Sequence, residues 1–136
     1  MRRPCVLAAS CVLLLAGCGD TSRDELERRA GAVQALAVEG RILADGVVRD
    51  RTRSLFVRVH ARDLAERAQH EAEKVADATP EPGLETARDR TVAIAGRVAG
   101  ALSALQTRPG ARAGARVVRD RLQEAADQAA EVIARR

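Results

Sequence analysis

The sequence predicts an all-α fold, a small antiparallel bundle of four helices, on three observations. Apolar residues recur at steps of three and four through most of the chain after residue 22, and this spacing places them on one side of a helix. Two segments that contain Pro and Gly, 79–83 and 107–110, interrupt the pattern. The segments between the interruptions are similar in length and closely connected, as in an up-down bundle.

The first helix is predicted over about 22–45. Ser22 with Glu25 three positions later forms a capping-box pattern, which marks a helix start. Asp45-Gly46 provides an end, with Gly46 as the left-handed residue that follows the last turn. The apolar stripe of this helix consists of Leu26, Ala30, Val33, Ala37, Gly40 and Ala44.

The second helix is predicted over about 50–78, although the segment 46–60 is ambiguous. Within it, 56–60 alternates as a strand does, and Gly46 is also compatible with one continuous helix over 22–78. That alternative gives a three-helix bundle with one very long first helix. Four helices are favoured, because so long a helix would leave much of its surface without a partner unless the chain dimerises. The stripe of the second helix is Val57, Ala61, Leu64, Ala68, Ala72 and Val75.

The third and fourth helices are predicted over about 84–106 and 110–135, where the two interruptions set their starts. Each carries an apolar stripe on one face and charged residues on the other. The stripe of the third is Leu84, Ala87, Thr91, Ile94, Val98, Ala101, Leu102 and Leu105. The stripe of the fourth is Ala111, Ala115, Val118, Leu122, Ala125, Ala129 and Val132.

Residues 1–17 have the three parts of an export signal. Two arginines at positions 2 and 3 precede an apolar core of ten residues over 6–15, and small residues follow it. This core is shorter than the roughly 20 residues that a transmembrane helix needs. The stretch ends in Leu15-Ala16-Gly17-Cys18, which resembles the lipobox of bacterial lipoproteins.

The resemblance to lipoproteins implies covalent lipid at Cys18. In that family the leader is cleaved before the cysteine, here between Gly17 and Cys18, the thiol carries diacylglycerol and the new amine is often acylated. The chain then consists of a signal peptide (1–17), a lipidated Cys with a short tether (18–21) and a helical bundle domain (22–136). Two further cysteines leave with the leader, so no internal disulfide is expected.

The resemblance also implies a location, on the extracytoplasmic side of a membrane and anchored to it by lipid. Two acyl chains suffice for stable attachment. Gly19 follows Cys18, whereas an Asp at that place favours retention in the inner membrane of enteric bacteria. The expected location is therefore the outer membrane, facing the periplasm, in a Gram-negative organism. In any other it is the outer face of the cytoplasmic membrane.

Composition argues against nucleic acid as a partner. Loss of the two leader arginines lowers the net charge from +4 to about +2. The basic residues are nearly all Arg, which together with abundant Ala is typical of a GC-rich genome. Phe56 is the only aromatic residue, so the chain lacks aromatic platforms on which bases stack. An exported protein also rarely meets nucleic acid.

No motif indicates an enzyme. His60 and His70 lie ten positions apart, about 80° around a helix, and so do not share a face. Their acidic neighbours lack metal-site spacing, and neither a Gly-rich phosphate loop nor a nucleophile elbow occurs. Lipid would occupy the only cysteine of the mature chain. The sequence therefore predicts no catalytic residue, no metal and no cofactor apart from the covalent lipid.

One charge pattern is uneven enough to suggest a binding surface. The segment 90–119 contains no acidic residue, whereas 63–89 carries eight. The two segments either compensate each other on neighbouring helices or are solvated. Alternatively, the first is a basic face for anionic lipid headgroups or an acidic envelope polymer. If the last helix begins near residue 108, that face is one ridge of Arg108, Arg112, Arg116 and Arg119.

The expected function is that of a non-enzymatic, membrane-anchored accessory or assembly factor. It would bind another component of the bacterial envelope through a helix face, and the short tether would hold it at the membrane. Two alternatives stay open. One is an oligomeric structural lipoprotein whose Ala-rich stripes pair between chains. The other is an inhibitor or immunity-type lipoprotein that blocks an incoming molecule.

The lipidation hypothesis makes a direct prediction for Cys18→Ala. Lipid attachment and leader cleavage both act at this residue, so metabolic labelling with palmitate should be lost and the leader should remain. Fluorography measures the label, and intact mass measures leader removal. Cys11→Ala is the matched control and should be labelled and cleaved like the wild type. Continued labelling of Cys18→Ala would contradict the assignment.

Overall fold

The computed structural model describes residues 20–135. The leader, its cleavage point and Cys18 lie outside these residues. The described chain forms four helices, and the prediction of a small all-α bundle of four helices is confirmed. In chain order they are α1 (Arg23–Val48), α2 (Ser54–Ala76), α3 (Glu85–Thr107) and α4 (Arg112–Ala134).

The four helices run alternately up and down. Contacts are most extensive between α1 and α4 and between α2 and α3, and α1 also touches α3 across the bundle. At 1.5 Å per residue, α1 is about 39 Å long and the other helices about 35 Å. The start of α1, the loop 77–84 and the end of α4 lie together at what we call the N-terminal end. The loops 49–53 and 108–111 lie at the opposite, distal end.

The predicted apolar stripes face the interior. Every member is buried except Ala87 and Ala111, which are half-buried. The largest side chains that are fully buried include Leu64, Leu102 and Leu122. The single buried polar residue of the described chain, Thr91, is satisfied because its hydroxyl donates to the carbonyl of Ala87 at 2.9 Å. A core of aliphatic side chains from all four helices therefore holds the bundle together.

Small residues let the helices approach closely, and Gly40 in α1 is the tightest case. A Cβ at this position would lie 2.6 Å from Cδ2 of Leu102 and 3.0 Å from Cδ1 of Leu122. Both leucines are completely buried and have little room to move. The backbone of α1 thus packs directly on side chains of α3 and α4.

The predicted end of α1 at Gly46 is wrong. The helix continues to Val48, and Asp50, with φ 57°, takes the left-handed conformation. The Asp50 amide donates to Val47 at 3.1 Å and the Arg51 amide to Gly46 at 2.9 Å, which is a Schellman ending with Asp in the place usually taken by Gly. Gly46 is needed for another reason. A Cβ there would collide with the Thr52 side chain, which folds back onto the helix.

The other boundaries agree closely with the sequence patterns. Ser22 is the N-cap of α1, and its hydroxyl accepts from the amide of Glu25 at 3.3 Å. The helices α2 and α4 begin at Ser54 and Arg112, a few residues later than predicted. The break between Val48 and Ser54 excludes the three-helix alternative for the described chain.

Gly40→Ala should destabilise the bundle although Ala favours helix. Overpacking a filled core costs about 1–3 kcal/mol, and the gain in helix propensity is about 1 kcal/mol, so we expect a net loss of about 1 kcal/mol in the free energy of unfolding. Gly100→Ala is the matched control, because its Cβ meets open space, and it should stabilise by about 1 kcal/mol. Urea denaturation measures both. Equal effects of the two substitutions would contradict the close approach at Gly40.

Candidate interaction surface

The chain is fixed to the bundle before α1 begins. The Thr21 amide donates to the carbonyl of Thr79 at 2.6 Å, and the Glu81 amide donates to the carbonyl of Thr21 at 3.1 Å. These two bonds make a short bridge to the loop 77–84. Thr21, which the sequence placed in the tether, therefore belongs to the folded body.

Ion pairs at the N-terminal end join α1 to α2. Nε of Arg29 lies 2.8 Å from Oε1 of Glu25, and its Nη1 lies 3.2 Å from Oε2 of Glu71. Nζ of Lys74 lies 3.6 Å from Glu71, whose side chain is mostly buried. A cavity of about 100 Å³ lies beside this network, lined also by Leu26 and other apolar side chains. These four charged side chains therefore satisfy one another.

Charge is segregated along the bundle axis. When each helix is divided at its midpoint, the distal half comprises 36–65 and 96–123 and contains twelve basic and five acidic residues, a net charge of +7. The N-terminal half of the described chain comprises 20–35, 66–95 and 124–135. It contains eight basic and fourteen acidic residues, a net charge of −6. The acidic and basic segments noted in the sequence thus lie mainly at opposite ends.

The predicted basic ridge is only partly formed. Arg108 lies in the turn that follows α3, because α4 begins at Arg112, so the condition for a four-residue ridge is not met. Nη2 of Arg112 lies 2.6 Å from Oδ2 of Asp50, and Arg119 lies near Asp45 and Asp120.

The remaining two arginines of the predicted ridge have no such partner. Within 20–135, no carboxylate lies within 4 Å of the guanidinium groups of Arg108 and Arg116. The described ion pairs also include none between the acids of 63–89 and the arginines of 90–119. The positive charge of these arginines is therefore compensated mainly by Asp45 and Asp50, at and just after the end of α1.

Exposed apolar side chains are concentrated in the same half. The exposed large hydrophobic residues of the described chain all lie there, and they are Ile42, Leu55, Phe56, Val59 and Val117, with exposed fractions of 50–72%. All except Val117 belong to α1 and α2, and we call these four the apolar corner. Polar contacts tie its two helices together, because Nε2 of His60 lies 2.9 Å from Oε1 of Glu39. Phe56 stacks on the His60 ring with centroids 5.4 Å apart.

The helices that start at the distal end lack the usual N-terminal stabilisation. Neither α2 nor α4 has a side-chain cap or an acidic residue in its first turn. By contrast, α1 and α3 start at the N-terminal end with acidic residues. Acidic side chains near a helix N-terminus are favourable because they face its partial positive charge. The distal end therefore omits a common source of helix stability.

The apolar corner was not identified from the sequence, where 56–60 was ambiguous between strand and helix. A signal was present, however. Once Val57, Ala61 and Leu64 are assigned to the buried stripe, Leu55 and Val59 fall on the opposite face of the same helix. The contribution of Ile42 depends on how α1 and α2 meet, which the periodicity of one helix does not show.

Metal ligation and membrane spanning were also considered for the described residues. His60 and His70 lie on one helix, and no group of three or more potential metal-ligating side chains occurs within 20–135. No helix in this part of the chain has the length and apolarity required to cross a bilayer. Comparisons with protein-family models, with curated proteins and with solved structures find no significant match.

Because its side chains are exposed, the apolar corner should contribute little to the free energy of unfolding. Phe56→Ser combined with Val59→Ser should change the free energy of unfolding by less than about 1 kcal/mol, as is usual for surface positions. Val57→Ser is the matched control, because Val57 is completely buried, and burying its hydroxyl in place of two methyl groups should cost about 3 kcal/mol. Chemical denaturation followed by circular dichroism gives both values. A large loss in the double variant would assign these residues to the core.

Proposed function

We propose that this protein is a non-enzymatic lipoprotein of the bacterial cell envelope, anchored through lipid on Cys18, that acts as an accessory or assembly factor. It binds another envelope component through the distal half of the bundle. The observation that carries the proposal is the coincidence of five exposed large apolar side chains with a net charge of +7 in that half. Exposed apolar side chains grouped on a folded surface are typical of interaction sites.

The short connection to Cys18 supports a defined orientation. Three residue steps separate Cys18 from Thr21, and at about 3.5 Å per step they span at most about 11 Å. Thr21 is bonded to the loop 77–84, so the N-terminal end stays next to the bilayer. With α1 upright, the distal end lies about 35 Å further out. In this upright orientation the proposed binding surface faces away from the anchoring membrane.

This orientation disfavours the headgroups of the anchoring membrane as the ligand of the distal arginines. Attraction between exposed charges is largely screened beyond a Debye length of about 8 Å at physiological ionic strength, whereas the distal end of an upright bundle lies about 35 Å away. A partner that approaches from the aqueous side fits the charge distribution better.

An oligomeric structural lipoprotein is the second candidate. The abundance of small residues at helix contacts favours it, since such surfaces discriminate weakly between pairing within and between chains. In the described chain, however, the predicted stripes are used inside the monomer. Light scattering coupled to size-exclusion chromatography, applied to the mature Cys18→Ser chain, tests it. A stable monomer would remove this candidate.

Photo-crosslinking in the native host tests the accessory role. A photoreactive amino acid at Val117 or Leu55 should form a product with an envelope component, because both side chains are exposed in the distal half. The matched control is Ala93, which is exposed in the N-terminal half of α3 and should give little product. The Cys18→Ala background should lose the product together with membrane attachment. Products that contain only this chain would contradict the proposal, as would equal yields from all three positions.

A further inference from the structure

We propose that the apolar corner binds one amphipathic helix of a partner protein, with acidic residues along the two edges of the apolar face of that helix. The inference rests on the proposed function, because the orientation set by the anchor is used to select the partner. It goes further by naming the surface on α1 and α2 and the chemistry of its occupant.

The shape of the apolar corner fits a helix packed along the side of the bundle. Ile42 lies six residues before the end of α1, and Val59 lies five residues after the start of α2, so both are about 8–9 Å below the distal end. Leu55 lies one turn above Val59 on the same face of α2. The corner therefore extends over about one and a half turns, or about 8 Å along the bundle axis, on the flank of two antiparallel helices. Such a surface accepts anchors at i, i+3, i+4 and i+7 of a single helix.

The charge around the corner calls for an acidic partner. Its acidic neighbours are already engaged, because Glu39 contacts His60, Asp45 contacts Arg49 at 2.8 Å and Asp50 contacts Arg112. Two nearby arginines are also engaged, Arg49 with Asp45 and Arg62 with Glu66 at 2.7 Å. Four exposed or half-exposed arginines of the same half have no carboxylate within 4 Å in the described chain, and they are Arg41, Arg51, Arg53 and Arg58. Carboxylates at the edges of an incoming helix would reach these side chains, and the resulting attraction would accelerate association and fix the orientation.

A second copy of the chain fits poorly. If two copies are anchored side by side in one membrane, their basic halves face each other and their acidic halves face each other, so both pairs of halves repel. An antiparallel pair would match the charges, but it would hold the Cys18 of one copy about 35 Å from the bilayer. The three residue steps to Thr21 span at most about 11 Å. The anchor therefore opposes the pairing that the charges favour.

A bilayer is also a poor occupant of the corner. The patch lies on the flank, so a flat membrane would have to run along the whole side of α2. Positions 7, 14 and 18 residues after Val59 point to the same side of that helix, and they hold Glu66, Glu73 and Asp77, all exposed. Anionic headgroups would meet these carboxylates. A single helix that is seated on the corner and projects past the distal end avoids them.

Two synthetic peptides test the proposal on the mature Cys18→Ser chain. The first is an 18-residue helix with Leu at i, i+3, i+4 and i+7 and Glu at the flanking positions, and in the second Lys replaces every Glu. The acidic peptide should bind and shift the amide NMR signals of Ile42, Leu55, Phe56 and Val59, whereas the basic peptide should not. Raising the ionic strength should weaken binding.

Matched variants separate this surface from general attraction to a basic protein. Phe56→Ser with Val59→Ser should weaken binding of the acidic peptide about tenfold or more, as loss of central apolar anchors does. Ala113→Ser, which changes an exposed small side chain of α4 in the same half, should leave binding unchanged. Circular dichroism shows whether each variant is folded. Equal weakening by both changes, or no binding of the acidic peptide, would overturn the proposal.

Two further measurements address the rejected occupants. Sedimentation with phosphatidylglycerol vesicles that depends on Phe56 and Val59 would assign the corner to a bilayer. Concentration-dependent dimerisation that the double variant abolishes would assign it to a second copy. Either result overturns the proposal. Palmitate labelling of the wild-type chain measures lipid attachment independently of peptide binding. If the protein is labelled but does not bind the acidic peptide, the proposed binding surface is refuted and the lipid anchor is not. If the protein is not labelled but binds the acidic peptide, the lipid anchor is refuted and the proposed binding surface still holds.

Discussion

The structure depends on close packing of helices through small side chains. Of the thirty buried hydrophobic residues of the described chain, fourteen are Ala, and Gly40 brings α1 against leucines of α3 and α4. Ala contributes little apolar area, so such a core stabilises the bundle only where backbones approach closely. The other sixteen, which are eight leucines, seven valines and one isoleucine, supply most of the buried volume. The distribution of large apolar side chains between interior and surface is therefore informative.

Five large apolar side chains do not join this core and are exposed in one half of the bundle. The only aromatic residue of the chain, Phe56, is among them and contributes its area to the surface, stacked on His60. Single exposed apolar residues are common on soluble proteins, but here all those described lie in the half that carries the surplus of arginines. A thin core makes this placement costly, which favours a role in binding over an accident of composition.

The sequence was sufficient for the helices and their buried faces, because helical periodicity reports burial directly. The N-cap at Ser22 and the breaks at 79–83 and 107–110 were also correct, although the Glu25 carboxylate contacts Arg28 and Arg29 and does not complete a capping box. The end of α1 was misjudged, since Gly46 is required by contact with Thr52 and the left-handed position fell to Asp50. Spacing within one helix does not report contacts across a loop. The ridge of arginines lost Arg108 because α4 begins only at Arg112. The apolar corner was not foreseen because it is formed by two helices.

The distal end also departs from the rules that stabilise helices, and the departure follows from the charge it carries. The start of a helix favours carboxylates and disfavours cations, yet α2 begins after Arg53 and α4 begins at Arg112, with no acid in either first turn. At the other end, α1 and α3 follow the rule. Acidic residues thus stabilise the helix starts at the N-terminal end of the bundle, and none does so at the distal end. Local rules are most often broken where a protein acts, and basic charge at this end is a stability cost that a bound acidic partner would offset.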